Sequence, residues 1–215
     1  MVPRLCVPTM ITGMESFIYL ASQSPRRRQL LQQIGTRFEV LLPEDANAAE
    51  ALEAVHPGEA PTAYARRVTR LKLCDALARR VRRGLPVAPV LCSDTTVALG
   101  GHILGKPRDA VDAAHMLRQL SGRTHRVITA VAVQAAPDSA LLEACSTSRV
   151  RFAILDERTL ADYIDSGEWS GKAGAYGIQG LAATFIEHIS GSYTGIMGLP
   201  LFETAALLRR VWTQP

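Results

Sequence analysis

The feature that most constrains the fold is the stretch of residues 17–35, where a short apolar strand pattern changes directly into a helix pattern. Ser24 is a good helix N-cap, and Pro25 suits the first helical position, where a missing N–H does no harm. Residues 26–28 are three consecutive arginines in the first turn, where the helix dipole makes each cation unfavourable by about 0.3–1 kcal/mol. Either this turn is a solvated basic surface, or the arginines and the free N–H groups hold an anion.

The length and composition indicate a globular protein. A chain of 215 residues allows one large domain or two small lobes, and 47% hydrophobic with 20% charged residues supplies an ample core. The net charge of +4 suits an anionic partner without requiring one. The 4 cysteines form no CxxC pair, which predicts free thiols in a reducing cytoplasm. No run reaches the roughly 18 apolar residues that a membrane helix needs.

Residues 1–16 are predicted to form a disordered N-terminal extension, followed by a single domain over residues 17–212. Pro3 and Pro8 interrupt any apolar core of a secretion signal, so export is not expected. Met14 stands just before the first strand and is an alternative start of the chain.

The remaining segments alternate between strand and helix patterns, interrupted by at least one hairpin, which predicts an α/β fold with a mixed central sheet flanked by helices. Residues 181–189 are predicted as a strand and residues 191–198 as a loop. Residues 62–83 are predicted as a helix whose apolar stripe consists of Tyr64, Val68, Leu71, Ala78 and Val81. Because this helix carries seven arginines, it is either a nucleic-acid surface or a solvated face with one or two functional cations.

Residues 90–99 form an apolar strand pattern with polar residues at its centre, and Gly100-Gly101 predicts a tight hairpin turn. With that turn, Thr95 lies opposite Lys106, and Asp94 lies at the same end of the hairpin. A carboxylate and an ammonium placed together can bind and activate a polyanion or its metal. The alternative is an ordinary ion pair at a strand end.

Lysine is rare in this chain, which has 21 arginines and only three lysines: Lys72, Lys106 and Lys172. Arginine therefore serves as the general surface cation. A position that keeps lysine is expected to need a compact, flexible ammonium group rather than a planar guanidinium.

Two further segments offer polar groups. Among residues 44–61, the acidic side chains Glu44, Asp45, Glu50 and Glu53 either supply a metal carboxylate or simply solvate a loop. Residues 168–180 include several glycines, which indicates either a close backbone approach to a ligand or an ordinary flexible connection. In that second segment Lys172 offers a cation, and Gln179 offers an amide that can recognise a base edge.

The ordered motifs together resemble the Maf family of nucleoside triphosphate pyrophosphatases, over residues 17 to about 210. The motifs that carry the resemblance are Ser22-x-Ser24-Pro25-Arg26-Arg27, Ser93-Asp94-Thr95, Gly105-Lys106-Pro107, Ser121-Gly122-x-x-His125-x-Val127-x-Thr129, Lys172-Ala173-Gly174-Ala175-Tyr176-Gly177-Ile178-Gln179-Gly180, Gly191-Ser192-Tyr193 and Gly198-Leu199-Pro200. The family has a two-lobed α/β fold, similar to that of inosine triphosphate pyrophosphatases, with the active cleft between the lobes.

The resemblance implies hydrolysis of dTTP and UTP to the monophosphate and pyrophosphate with Mg²⁺ or Mn²⁺, in a cytoplasmic enzyme that removes unwanted nucleotides and is expected to be a homodimer. It further implies that Asp94 is the proton acceptor. The substrate-binding and specificity positions that it implies are Arg26, Thr95, Gln179, Arg27, Ser22, Lys72, Lys106 and Lys172. Among the arginines, Arg26 is ranked first, with Arg27 in support and Arg28 on the surface.

Two departures from the family pattern stand out. Ser93 replaces the usual alanine before the Asp-Thr pair, a change expected to be tolerated. Ala46 and Asn47 stand near the place of the family's acidic pair, so the metal ligands remain unassigned. The competing hypothesis is a non-catalytic nucleotide or nucleic-acid binding protein that uses the basic helix over residues 66–83, with the family's historical link to septum formation as its cellular context.

Overall fold

A computed structural model describes residues 17–45 and 51–213. The predicted extension over residues 1–16 lies outside the described residues, as do Ala46, Asn47 and Glu50.

The described strands form one mixed sheet of seven strands, which confirms the predicted fold class. Six of them lie in the order β2-β1-β3-β5-β6-β7, and β4 pairs with β3. The two contacts of β1 are parallel and all other pairings are antiparallel. The strand bounds are β1 Ile18–Leu20, β2 Phe38–Val40, β3 Val90–Leu99, β4 His102–Leu104, β5 Thr124–Gln134, β6 Leu142–Phe152 and β7 Ile186–Ser190.

Six α-helices in the described ranges flank this sheet: α1 Pro25–Gln33, α2 Pro61–Arg82, α3 Ala110–Leu120, α4 Glu157–Asp165, α5 Tyr193–Met197 and α6 Leu201–Thr213. The start of α1 is as predicted, since the Ser24 side chain accepts a hydrogen bond from the backbone N–H of Arg27 and Pro25 is the first helical residue. Within the ranges that the structure describes, none of the helices has the length and apolar character needed to cross a membrane.

The two faces of the sheet bury different cores, because successive side chains of a strand point to opposite faces. Leu91 and Val97 of β3 belong to the larger core, which also takes residues from α1, α3 and α6. Val90 and Cys92 belong to a second core, which α2 covers with Leu73 and other side chains. Helices therefore cover both faces of β3.

The predicted stripe of α2 is confirmed at Tyr64 and Val68 but wrong in the rest of the helix. Leu71 and Val81 are exposed, whereas Thr69, Arg79 and Arg80 are buried. The arginines can be buried because their guanidinium groups donate hydrogen bonds to backbone carbonyls. An assignment based on apolar residues alone therefore misses the buried polar residues in the C-terminal half of the helix.

Two predictions near the C-terminus also need correction. Residues 181–189 do not form one strand, since Leu181–Phe185 is a 3₁₀ helix and the strand begins only at Ile186. The segment 191–198 is not simply a loop, because Ser192 caps the short helix α5 with its side-chain oxygen. This hydrogen bond is the N-cap interaction that serine provides at helix starts.

The hairpin prediction is confirmed where the strands pair, with Leu99 opposite His102 and Val97 opposite Leu104. The strand β4 ends at Leu104, so the predicted position of Lys106 opposite Thr95 lies beyond the last pair.

A gap along one edge of β3 follows from these pairings. The parallel strand β1 pairs with β3 only at Val90 and Leu91, and β4 pairs with it only from Val97 onward. Residues 93–96 therefore have no strand partner on this side within the described part of the chain, although β5 pairs with them on the other side. Ligands of open α/β sheets bind beyond the carboxyl ends of parallel strands, and β1 ends beside this gap.

Candidate active site

A cleft of about 460 Å³ lies at the gap in β3. It brings together six of the residues predicted for the site: Ser22, Arg27, Lys72, Asp94, Thr95 and Lys106. Glu53 and Tyr176 also line it. Because Asp94 and Thr95 are consecutive on a strand, they point to opposite faces of the sheet, and the open edge exposes both to one cavity.

Asp94 belongs to a chain of ion pairs across the cleft. Its Oδ1 lies 2.6 Å from Nζ of Lys72, whose ammonium group also lies 2.7 Å from Oε1 of Glu53. The other oxygen of Glu53, Oε2, lies 2.9 Å from Nζ of Lys106. Burial by itself favours the neutral forms, but Asp94 and Glu53 together hold the pKa of Lys72 above its ordinary value.

The carboxylate of Glu53 is stabilised in its charged form by the two lysines. Burial alone would raise its pKa, yet the charges and hydrogen bonds of Lys72 and Lys106 hold that pKa below its ordinary value. Two carboxylates and two ammonium groups therefore share one side of the cleft.

Arg27 reaches into the cleft from the first turn of α1. Its Nε donates to the carbonyl of Gly198 at 2.8 Å, Nη1 donates to Oγ of Ser22 at 3.1 Å, and Nη2 donates to Oγ1 of Thr95 at 3.2 Å. Burial lowers its pKa, and the nearby carboxylate of Asp94 counteracts that effect. A guanidinium has five N–H groups, so three bonds to the described residues leave two for a ligand.

Hydroxyl groups on the central strands fix the segment that Arg27 contacts. Oγ of Ser93 is within hydrogen-bonding distance of the carbonyls of Ala130 and Gly198, at 2.8 and 3.1 Å. Oγ1 of Thr129 lies 3.0 Å from Oγ1 of Thr95 and 2.7 Å from the carbonyl of Gly195. The buried hydroxyl that Ser93 introduces therefore has hydrogen-bond partners, which gives a physical reason for tolerating this departure.

Three predicted residues lie beside the cleft rather than on its lining: Arg26, Lys172 and Gln179. The sequence ranks Arg26 first among the arginines, but its Nε donates to the carbonyl of Met197 at 3.2 Å, and Arg27 is the arginine that lines the cavity. Lys172 donates to the backbone carbonyl of Glu168, and burial together with the charge of Arg26 lowers its pKa. The side chain of Gln179 is exposed to solvent.

The glycine-rich segment packs closely onto the sheet. Gly174 has a φ of 68°, and a Cβ there would lie 2.8 Å from a side-chain carbon of Val97, so both the dihedral and the space require glycine. The hydroxyl of Tyr176 lies 2.8 Å from Nε2 of the buried His125 on β5. Burial lowers the pKa of His125 to about 4, so this bond joins two neutral groups at neutral pH.

Glu53 is a functional candidate to which the sequence alone assigns no specific role. It is one of five acidic residues between positions 44 and 61, and no local pattern distinguishes it from the others. The structure distinguishes it because the segment folds back onto α2. The hydroxyl of Tyr64 donates to the backbone carbonyl of Glu53 at 2.9 Å, and a guanidinium N–H of Arg67 donates to that of Ala54 at 2.8 Å.

Most arginines of α2 have partners inside the protein. Arg66 and Arg70 form ion pairs with Glu143 of β6. Arg67 pairs with Glu59 through two hydrogen bonds of 2.7 Å. The buried Arg79 donates to the carbonyl of Leu41 and pairs with Asp75, and the buried Arg80 donates to two backbone carbonyls. Arg83, which directly follows α2, binds Glu44 and the carbonyl of Leu42.

Sequence comparisons identify relatives over most of the chain. Residues 17–211 match the family described as Maf-like protein. A dTTP/UTP pyrophosphatase of Ralstonia nicotianae is 64% identical over 191 residues, which cover 89% of this chain and 92% of the relative. Proteins with the same name from Albidiferax ferrireducens and Cupriavidus pinatubonensis are 62% and 60% identical, over 91% and 92% of this chain and 97% and 98% of theirs.

A solved nucleoside-triphosphatase from Mycobacterium abscessus, described as a dITP/XTP pyrophosphatase, covers 63% of this chain and 74% of its own at 18% identity. Its TM-score of 0.39 is too low to support an inference. The family match and the relatives at 60% identity or more do support one, because they span nearly the whole described chain. The chain belongs to the Maf family.

Proposed function

We propose that this protein hydrolyses dTTP and UTP to the monophosphate and pyrophosphate. The observation that carries the proposal is the arrangement at the gap in β3, where a carboxylate, Asp94, shares one cleft with Arg27, Lys72 and Lys106. The printed activity of the relatives at 60% identity or more supports the choice of dTTP and UTP. In cells the reaction would remove unwanted nucleotides.

The cations of the cleft would hold the phosphate chain. A triphosphate brings about four negative charges, and fixed donors in a preformed cavity stabilise such charge more effectively than mobile water does. Arg27 has N–H groups available beyond its bonds to Ser22 and Thr95. Lys106 lies nearer the solvent than Lys72, with 42% of its side chain exposed against 20%, so the two ammonium groups can contact different phosphates.

Asp94 is proposed as the general base. Its carboxylate would orient a water molecule and accept its proton while the oxygen attacks a phosphorus of the anhydride between the α- and β-phosphates. The bond from that phosphorus to the bridging oxygen breaks, and pyrophosphate leaves on the side of the lysines. Lys72 would hold Asp94 in place throughout, since its ammonium group already binds Oδ1.

The acidic residues of the cleft fit a divalent cation that arrives with its nucleotide. No group of three or more His, Cys, Asp or Glu residues that could hold a metal occurs within residues 17–45 and 51–213. Mg²⁺ commonly binds through one or two carboxylates together with phosphate oxygens and water. Glu53 would supply such a carboxylate while Asp94 acts as the base, and the bound ion would neutralise charge on the phosphates.

Recognition of the base is assigned to the glycine-rich segment and its neighbours. The exposed amide of Gln179 has both a donor and an acceptor for a pyrimidine edge. Thr95 would act through Arg27, to which its hydroxyl is hydrogen-bonded. Arg26 and Lys172 influence each other electrostatically at the rim, where they would attract the anionic substrate. We further place the reaction in the cytoplasm, consistent with the free thiols of the described cysteines, and retain the homodimer as an expectation.

A nucleotide screen tests this proposal. The purified protein is incubated with Mg²⁺ or Mn²⁺ and each common ribo- and deoxyribonucleoside triphosphate, and the products are separated by ion-exchange chromatography. We expect pyrophosphate and monophosphate from dTTP and UTP, at rates well above those for purine nucleotides. Turnover of purine nucleotides alone would retain the reaction class and refute the pyrimidine specificity, whereas no pyrophosphate from any nucleotide would refute the proposed function.

A further inference from the structure

Glu53 occupies the position in the cleft that the proposed function assigns to phosphate. Its two oxygens lie 2.7 and 2.9 Å from the ammonium groups of Lys72 and Lys106, the same two cations that would bind the phosphate chain. With its backbone carbonyl held by Tyr64, the segment that carries Glu53 is fixed to α2. The carboxylate therefore lies among the cations because of the fold, and its side chain is only 22% exposed.

The charges make this arrangement competitive with an anionic ligand. Each lysine that donates to Glu53 has fewer N–H groups for a phosphate, and a carboxylate beside a phosphate repels it. In the free protein the same carboxylate stabilises the cleft, because it separates the positive charges of Lys72 and Lys106, which would otherwise repel each other. Without it, Asp94 would be the remaining counter-charge of Lys72. One group thus stabilises the empty cleft and opposes its filling.

We propose that Glu53 is an internal counter-anion that holds Lys72 and Lys106 in position in the free protein and is displaced from them when a phosphate chain enters. The inference rests on the proposed function for the identity of the ligand, but it concerns binding alone. Glu53 is in this sense a positioning residue, since it acts through the two lysines. Its displacement also frees the carboxylate at the moment when a metal ion accompanies the nucleotide.

The test is binding of inorganic tripolyphosphate in buffer that contains EDTA, measured by isothermal titration calorimetry. Without metal or base, the probe reports only on the cations and their counter-charges. Glu53→Gln keeps the size of the side chain and removes its charge, so we expect tripolyphosphate to bind roughly tenfold more tightly than to the wild type. A merely structural role would not improve affinity, because losing the contacts to Glu53 would leave the side chains of Lys72 and Lys106 less ordered.

Two further variants make the result specific. Glu53→Ala removes the carboxylate in a different way and should also bind more tightly, whereas Glu53→Asp keeps the charge and should remain near the wild type. Both should fold, because the contacts from Tyr64 and Arg67 to this segment use backbone carbonyls. Glu157→Gln is the charge-matched control, since Glu157 pairs with Arg118 outside the cleft lining and its loss should leave the affinity unchanged.

Unchanged or weaker binding to Glu53→Gln and Glu53→Ala would overturn the inference. Absence of detectable binding to the wild type and both variants would overturn it as well. The result is separable from the fate of the proposed function, because a protein that binds tripolyphosphate in this way could still release no pyrophosphate in the nucleotide screen.

Discussion

The two arginine-rich segments of this protein use the same side chain for different purposes. In the first turn of α1, Arg27 directs its guanidinium into the cleft and Arg28 is exposed. In α2, Arg80 is 2% exposed and donates to two backbone carbonyls, and Arg70 pairs with Glu143 on β6. The comparison teaches that arginine density does not locate an anion site. An anion site is located instead by N–H donors that have no partner within the protein and point into a cavity.

This contrast argues against the competing hypothesis. A nucleic-acid surface on α2 would need its arginines free for phosphate contacts. Most of them have carboxylate or carbonyl partners within the described part of the chain, and two are buried. The comparisons likewise give a non-catalytic binding role no support. Replacing Arg79 and Arg80 would therefore test the stability of the fold rather than nucleic-acid binding.

Among substitutions that test the difference between the arginines of α1 and α2, Arg80→Met is expected to have the largest effect, a loss of stability. The substitution removes hydrogen bonds of 2.6 and 2.8 Å to the carbonyls of Ala88, which is buried, and Ala135, which is partly buried, so both acceptors lose this donor. We expect the free energy of unfolding to fall by about 3 kcal/mol, measured by urea denaturation. Arg82→Met, an exposed neighbour in the same helix, is the control and should change it by less than about 0.5 kcal/mol. Equal effects of the two substitutions would contradict the distinction between the buried and the exposed arginines of α2.

A slightly smaller effect is expected for Arg27→Lys, and on activity instead of stability. Lysine keeps the charge but cannot bind Gly198, Ser22 and Thr95 at once while still donating to a phosphate. We expect kcat/KM for dTTP to fall roughly 100-fold, which corresponds to about 2.7 kcal/mol.

Two neighbours in the same turn serve as controls for Arg27→Lys. Arg28→Lys changes an exposed side chain and should leave kcat/KM near that of the wild type. Arg26→Lys should lie between the two, because Arg26 is at the rim. A larger loss for Arg26→Lys than for Arg27→Lys would favour the ranking made from the sequence over the one that the geometry indicates.

The smallest effect is expected for Arg70→Gln, at the partly exposed ion pair between α2 and β6. Arg70 makes two hydrogen bonds of 2.7 Å to Glu143, but 52% of its side chain is exposed and Arg66 remains as a partner. The loss of unfolding free energy should therefore stay below about 1 kcal/mol and shrink in 1 M NaCl. A salt-independent loss of unfolding free energy close to that for Arg80→Met would show that the Arg70–Glu143 pair contributes more stability than its exposure suggests.

Local chemistry explains why some elements were predictable from the sequence. The start of α1 depends on Ser24 and Pro25, and the turn before β4 depends on two glycines, so neighbouring residues suffice to define both. The face of α2 was not predictable in the same way. Arg79 and Arg80 are buried because carbonyls distant in sequence, such as those of Leu41 and Ala135, accept their hydrogen bonds.

The same distinction applies to the cleft. The polar residues Asp94 and Thr95 stand out because they interrupt an apolar strand pattern, and the family resemblance supplies their roles. Glu53 could not, since its role depends on the fold of a segment that reaches Lys72 and Lys106 only in three dimensions. The other acidic residues of this segment have similar sequence surroundings, so the sequence does not separate Glu53 from them.

The central claim, that this cleft hydrolyses triphosphates with Asp94 as the base, is tested most directly by Asp94→Asn. The amide keeps the size of the side chain but cannot accept a proton, so turnover of dTTP should fall by about 10²–10⁴-fold while nucleotide binding, measured by calorimetry in EDTA, stays detectable. Asp75→Asn is the control for one negative charge in the same cleft, because Asp75 pairs with Arg79. Near-normal turnover by Asp94→Asn, with pyrophosphate still the product, would contradict the account.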